Sequence, residues 1–202
     1  MSERFKDLTK VPKEPVAKLL SLTNTRLATR IEAPVAALAD EVLTELDGKG
    51  AMIDVLRLLA IVLPPRERVW WACLAARDYV GPKSDKDPQS LAVSEEWVFK
   101  PNEENRIRAR DAMDEAYIDD DTVHIAMSVL YADGTLGPAD LAEFPAPAGA
   151  AETCAFAMNI VALDKNADRF NEYGQMLIDR AIDIARGGNG RISLAPQEQE
   201  AT

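Results

Sequence analysis

The apolar residues of this chain recur at helical spacing, and prolines divide the pattern into short segments. In residues 34–48, for example, Leu38, Val42 and Leu46 fall on one helical face. No segment shows the alternation of apolar and polar residues that a half-buried strand needs. Proline is excluded from helix interiors but favoured in the first turn, so each proline marks an end or a start. The pattern predicts an all-α fold of about eight helices.

The sequence lacks the regular repeats that long coiled coils and solenoids need, and this constrains how the helices are arranged. No heptad pattern persists beyond two repeats, which argues against a long coiled coil. The prolines have no constant period, which argues against a regular solenoid. We therefore expect one domain, an irregular orthogonal array of helices. Its predicted parts are a basic N-terminal arm (1–12), an all-helical domain (13–188) and a disordered C-terminal tail (189–202).

Charge is unevenly distributed along the chain. The formal net charge is -11, which argues against a protein that binds nucleic acid by neutralising phosphates. No Lys or Arg occurs between Arg110 and Lys165, although acidic residues recur there. This stretch forms either a solvated face that favours solubility or a docking surface for a basic partner protein. The basic arm of a second copy would also fit, in a homo-oligomer. Asp119, Asp120 and Asp121 are the acidic interface candidates.

The same carboxylates allow an alternative hypothesis. Asp111 and Glu115 are four residues apart, so on a helix they share a face and could provide two oxygen ligands for a hard cation. The alternative function is a small metal-binding protein or enzyme that uses the Asp111–Asp121 carboxylates. The sequence specifies no complete metal site, no cofactor and no catalytic residue, because nucleophile, zinc and phosphate-loop motifs are missing. An enzyme is therefore the less favoured interpretation.

Two adjacent tryptophans mark the helix that follows Pro65. Neighbouring helical residues point about 100° apart, so Trp70 and Trp71 cannot face the same element. The predicted inner stripe of this helix consists of Val69, Trp70, Cys73, Ala76 and Val80. Trp71 is then either covered by another helix or partly exposed. In the second case Trp71 anchors a protein interface together with Arg68 or Arg77, since tryptophan and arginine are frequent interface hot spots.

The compartment is predicted from targeting signals and cysteines. The charged N-terminus lacks the apolar core of a signal peptide. No uncharged apolar run approaches the roughly 18 residues that span a bilayer. Cys73 and Cys154 lie in separate apolar helical stretches, where a free thiol packs as a small hydrophobe. These features predict a cytoplasmic protein without a membrane span.

Residues 56–77, LRLLAIVLPPRERVWWACLAAR, resemble the signature of an uncharacterised bacterial family of unknown function. In that family a Leu-rich helix, a Pro-Pro-Arg-Glu turn and a Trp-Trp-Ala-Cys helix follow one another. Looser similarity covers the alanine-rich pair of helices at 148–186. The resemblance implies a small bacterial helical protein encoded near secretion or contractile-injection machinery, and it assigns no catalytic residue. We therefore predict a non-catalytic interaction or accessory protein that binds another protein.

Overall fold

Helices form wherever the sequence shows an apolar stripe between two breaks. The computed structural model describes residues 3–194, and within that range it contains nine α-helices and two short 3-10 turns. The α-helices are α1 (Val16–Leu22), α2 (Ala39–Gly48), α3 (Met52–Val62), α4 (Pro65–Val80), α5 (Gln89–Phe99), α6 (Glu103–Asp114), α7 (Val123–Leu130), α8 (Ala150–Lys165) and α9 (Phe170–Ala185). In the same range the β pairing amounts to one isolated bridge, between Thr135 and Pro145. The predicted all-α domain is confirmed.

The turn between α3 and α4 explains why an arginine follows the two prolines. A helical carbonyl normally accepts from the N–H four residues on, and prolines at 64 and 65 have none. The carbonyls of Ala60 and Ile61 therefore lack their helical donors. Arg68 replaces them: its Nε donates to Ala60 O at 2.6 Å, and its Nη2 to Ile61 O at 3.4 Å and Leu63 O at 2.9 Å. The Arg68 side chain caps the end of α3.

Two apolar cores lie on either side of α4 and α8. The first core is built from α2, α3 and α9, with Phe5 and parts of α1 added. The second is built from α5, α6 and α7. Helix α4 presents Trp71 and Ala75 to the first core, and Ala72 and Ala76 to the second. Because α4 is buried on two sides, only a narrow stripe of it reaches the surface.

The predicted helix over residues 34–48 begins later than expected, at Ala39. The preceding connection, 23–38, is held by carboxylates instead of by helical hydrogen bonds. Asp54 accepts from the N–H groups of Ala28 and Thr29 at 3.1 and 2.7 Å. Glu45 accepts from those of Glu32 and Ala33 at 2.7 and 2.8 Å, and with Lys49 these bonds lower the pKa of Glu45 to about 2. Side-chain carboxylates thus satisfy the backbone just before the predicted helix. The first residues of that helix form a turn instead, in which Ala37 N–H donates to Pro34 O at 2.8 Å and Ala37 O accepts from Val16 N–H at 3.0 Å.

The basic arm packs against the helices of its own chain. Phe5 is buried in the first core, and the Lys10 N–H donates to Ala185 O at 2.9 Å. Arg4 pairs with Asp47 and Asp179, at 3.0 and 2.7 Å. Two of the basic residues that we assigned to a possible intermolecular contact are therefore engaged within the molecule, since Lys10 also pairs with Glu67. Residues 1 and 2 lie outside the described residues.

The first part of the predicted tail also packs on the domain. Gly190 N–H donates to Asp183 Oδ2 at 2.8 Å, and Ile192 O accepts from Arg180 Nε at 2.8 Å. Gly190 has φ 67° and its added Cβ would lie 2.7 Å from Ile184 Cδ1, so only glycine fits this turn. Residues 186–194, which we call the C-terminal strap, therefore extend the helical unit beyond the predicted limit of 188. The rest of the predicted tail, 195–202, lies outside the described residues.

Two further predictions from the sequence can be compared with the structure. Burial raises the pKa of Cys154 to about 11 and that of Cys73 well above the ordinary thiol value. Both thiols therefore stay protonated near neutral pH, which fits packing residues and not nucleophiles. Within residues 3–194, no helix combines the length and the apolar character that crossing a membrane requires.

Candidate functional site: a basic aromatic groove

Trp71 does not form the surface that the sequence suggested. Its side chain is 0% exposed in the first core, and its Nε1 donates to Leu177 O at 2.9 Å. Arg68 is also buried, because it caps α3 and pairs with Glu152 at 2.8 Å. Neither side chain can contact a partner without opening the fold. As interface candidates, Trp71 and Arg68 are wrong, and the alternative that another helix covers Trp71 is the correct one.

Arg77 is a partly buried structural residue. Its guanidinium donates to Glu95 at 2.7 and 2.8 Å and to Asp87 at 2.6 Å. These hydrogen bonds raise the pKa of Arg77 and lower that of Asp87. The fourth contact, to Gly81 O at 3.2 Å, caps the end of α4. Arg77 thus ties the loop 81–88 to α5, and its charge is already matched by carboxylates.

The acidic candidates divide between structural and exposed positions. Asp121 Oδ2 pairs with Lys165 Nζ at 2.9 Å, and Asp120 Oδ1 accepts from Thr122 N and Oγ1 at 2.9 and 2.6 Å. Asp119 is exposed. Across residues 3–194, no three His, Cys, Asp or Glu side chains are grouped so that they could hold a metal ion. The structure therefore gives the carboxylate-site alternative no geometric support.

Trp70, the other member of the pair, lies at the surface. Its ring meets Phe99 edge-on, with centroids 6.2 Å apart and planes at 61°. Phe99 is the last residue of α5 and is 71% exposed. Trp70 Nε1 donates to Asn189 O at 2.7 Å, which fixes the indole against the C-terminal strap. Two aromatic rings from different helices are thus held together at the surface.

Two cations border this aromatic pair without a carboxylate partner. Arg191 Cζ lies 5.8 Å from the Trp70 ring centroid, a cation–π distance. Arg66 Nε donates to Val98 O at 2.5 Å, which places its guanidinium beside the end of α5. In the part of the chain that the structure describes, neither arginine lies within 4.0 Å of an Asp or Glu oxygen. Their positive charge is available to a ligand.

Two adjoining hollows surround the rings, and we call them together the Trp70 groove. One is about 280 Å³ and lies between α4, the end of α5 and the start of the strap. The other is about 500 Å³ and continues along α4 toward Lys83 and Arg180. Trp70, Phe99 and Arg191 line both hollows. The lining also contains the carboxylates of Glu67, Asp78 and Glu95, which pair with Lys10, Arg180 and Arg77. The groove is therefore concave and aromatic at its centre, with the unmatched positive charge of Arg66 and Arg191 at its edges.

The sequence contained a signal for Trp70 that the inner-stripe assignment missed. Relative to Trp70, the charged residues Arg66, Glu67 and Arg77 lie at positions -4, -3 and +7. Those offsets fall on the same helical face, so Trp70 belongs to the polar stripe of α4. The contribution of Phe99 and Arg191 could not be derived, because it depends on how α5 and the strap pack on α4.

Comparison with known proteins places the chain in a family. The description "Family of unknown function (DUF6931)" matches residues 42–185, which include α3 to α9 and the Trp70 side of the groove. No curated protein and no solved structure matches the chain. The match covers more than half of the 202 residues. The chain therefore belongs to DUF6931, a family of unknown function.

Proposed function

We propose that this protein is a non-catalytic accessory protein that binds another protein through the Trp70 groove. The observation that carries the proposal is the surface pair of the half-buried Trp70 and the exposed Phe99, flanked by Arg66 and Arg191, which have no carboxylate partner. Tryptophan and arginine are the side chains most often responsible for binding energy in interfaces. Aromatic residues are likewise enriched at the centres of interface patches.

The chemistry of the groove selects its partner. An apolar side chain can pack on the rings, and carboxylates on either side of it can pair with the two arginines. The chain as a whole is strongly acidic, with a net charge of -11, so a basic groove is a local exception. We therefore propose an acidic partner segment that carries an aromatic or aliphatic side chain. The basic partner and the secretion-related context stay predictions from the sequence.

Photo-cross-linking at position 99 tests this proposal. Phe99 is replaced by benzoylphenylalanine, and the protein is irradiated in lysate of cells that make it naturally. We expect one main cross-linked partner, attached through an acidic segment that contains an apolar residue. Capture should fall about thirtyfold with Trp70→Ala, which corresponds to a hot spot of about 2 kcal/mol. It should also fall with Arg191→Glu and at high salt.

The control places the same photo-reactive group at Val35. This residue is 80% exposed but lines neither hollow. The proposal is wrong if position 99 captures no more than position 35. It is also wrong if the captured segment is basic, or if capture persists in the Trp70→Ala and Arg191→Glu variants.

A further inference from the structure

The acidic segment that fits the Trp70 groove is present in this chain. We infer that the loop 115–121 of a second copy occupies the groove, so that the protein assembles head to tail. This inference rests on the proposed function of the groove and names its partner. The loop connects α6 to α7 and has the sequence EAYIDDD.

The loop 115–121 exposes apolar side chains that nothing in the described structure covers. Tyr117 is 84% exposed and Ile118 is 107% exposed, at the tip of the loop. They are flanked by Glu115 and Asp119, which are also exposed. Within residues 3–194, neither of these carboxylates lies in an ion pair with a basic side chain. The loop therefore presents an aromatic and an aliphatic residue between unpaired negative charges.

Loop and groove are complementary in apolar surface and in charge. The groove offers the partly exposed ring of Trp70 and the exposed ring of Phe99, which can cover Tyr117 and Ile118. At the edges of the groove, Arg66 and Arg191 lack carboxylates, while the loop carries carboxylates that lack cations. Apolar contact would provide affinity, and charge would set the orientation of the loop.

A molecule cannot fill its own groove with this loop. Trp70 and Tyr79 are nine residues apart on α4, hence about 180° apart around the helix and about 14 Å apart along it. Lys165 Nζ lies 4.8 Å from the Tyr79 ring centroid and 2.9 Å from Asp121 Oδ2. The loop thus ends on the side of α4 opposite to the groove. The contact must join two molecules.

This contact uses two different surfaces of the protein. Each molecule offers one groove and one loop, so the interface is heterologous. Heterologous contacts form rings when the rotation between neighbours closes, and open chains when it does not. We therefore expect species larger than a dimer at high protein concentration.

Complementation between two defective variants tests the inference. Trp70→Ala removes the centre of the groove but keeps the loop, and the double variant Tyr117→Ala/Ile118→Ala does the reverse. In sedimentation velocity, the wild type should gain mass with concentration, whereas each variant should stay at the 22.1 kDa of one chain. An equimolar mixture has one intact groove and one intact loop per pair. It should therefore form a dimer and nothing larger.

The matched control is Val35→Ala, a change at an exposed apolar residue outside both surfaces, which should assemble like the wild type. A wild type that stays monomeric into the high micromolar range overturns the inference. A loop variant that assembles normally, or a mixture that stays monomeric, also overturns it. Cross-links from position 99 to another protein would then still support the proposed function. If position 99 gave no such cross-link either, both the inference and the proposed function would be wrong.

Discussion

Trp71→Ala is expected to lower the free energy of unfolding by about 3–5 kcal/mol, the usual cost of truncating a buried tryptophan. The side chain is fully buried and its Nε1 donates to Leu177 O, so the variant loses apolar contacts and leaves a carbonyl of α9 without that donor. The measurement is urea unfolding followed by circular dichroism, with wild type and variant at the same pH and salt.

Trp70→Ala is the matched control, because it removes the same side chain from the neighbouring position. Trp70 is only half-buried, and its hydrogen bond to Asn189 O lies at the surface. We expect a loss of about 1 kcal/mol, close to the value of one hydrogen bond. Equal destabilisation by the two substitutions would contradict the assignment of Trp71 to the core and Trp70 to the groove.

Arg68→Met is expected to destabilise the protein by about 3–5 kcal/mol. Breaking a buried ion pair by removing one partner usually costs this much. Here the substitution leaves Glu152 without its cation, and the carbonyls of Ala60 and Leu63 without a donor. The measurement is again urea unfolding, because the loss should appear as a lower midpoint with an unchanged slope.

A double-mutant cycle separates the ion pair from the capping of α3. Arg68→Met/Glu152→Leu removes both charges, so the variant no longer carries an unpaired carboxylate. We expect it to recover part of the lost stability but not all of it, since the carbonyls behind the two prolines stay unsatisfied. Full recovery would show that Arg68 acts only through Glu152, and no recovery would show that it acts only as a cap.

The helical fold could be predicted from the sequence because local rules determine it. Proline and glycine mark most helix ends, and the apolar stripes identify most core residues. The helix start at Ala39 could not be predicted this way. Residues 34–37 form a turn whose Ala37 O accepts from the Val16 N–H of α1, which is a tertiary contact. The order within the terminal segments likewise depends on Phe5 and Gly190 packing on distant helices.

The candidate site was harder to predict than the fold. The sequence singled out the tryptophan pair and nearby arginines, but it placed the wrong tryptophan at the surface. A helix that packs on two cores has two apolar stripes, so an apolar residue between them can be assigned to either side. The groove itself requires three segments, α4, the end of α5 and the strap. Their juxtaposition is a property of packing that no single helical pattern contains.

Three arginines in this fold share one role, which is to donate hydrogen bonds to carbonyls at the end of a helix. Arg68 donates to carbonyls at the end of α3, Arg66 to Val98 O at the end of α5, and Arg106 to Leu130 O at the end of α7. The last carbonyls of a helix lack intrahelical donors, and a guanidinium has several N–H groups to offer. Arg66 therefore both supports the end of α5 and lies beside the groove that Phe99 borders.

The most direct test of the groove is the NMR spectrum of the three indole N–H groups. The host protein carries Tyr117→Ala/Ile118→Ala, so that its own loop does not compete, and the ligand is a synthetic peptide of residues 113–121, MDEAYIDDD. We predict a saturable shift of the Trp70 resonance, while those of the buried Trp71 and Trp97 stay in place. Replacing the acidic residues of the peptide by their amides should weaken the effect. A Trp70 resonance that stays unchanged up to millimolar peptide would contradict the inference that the loop 115–121 occupies this groove.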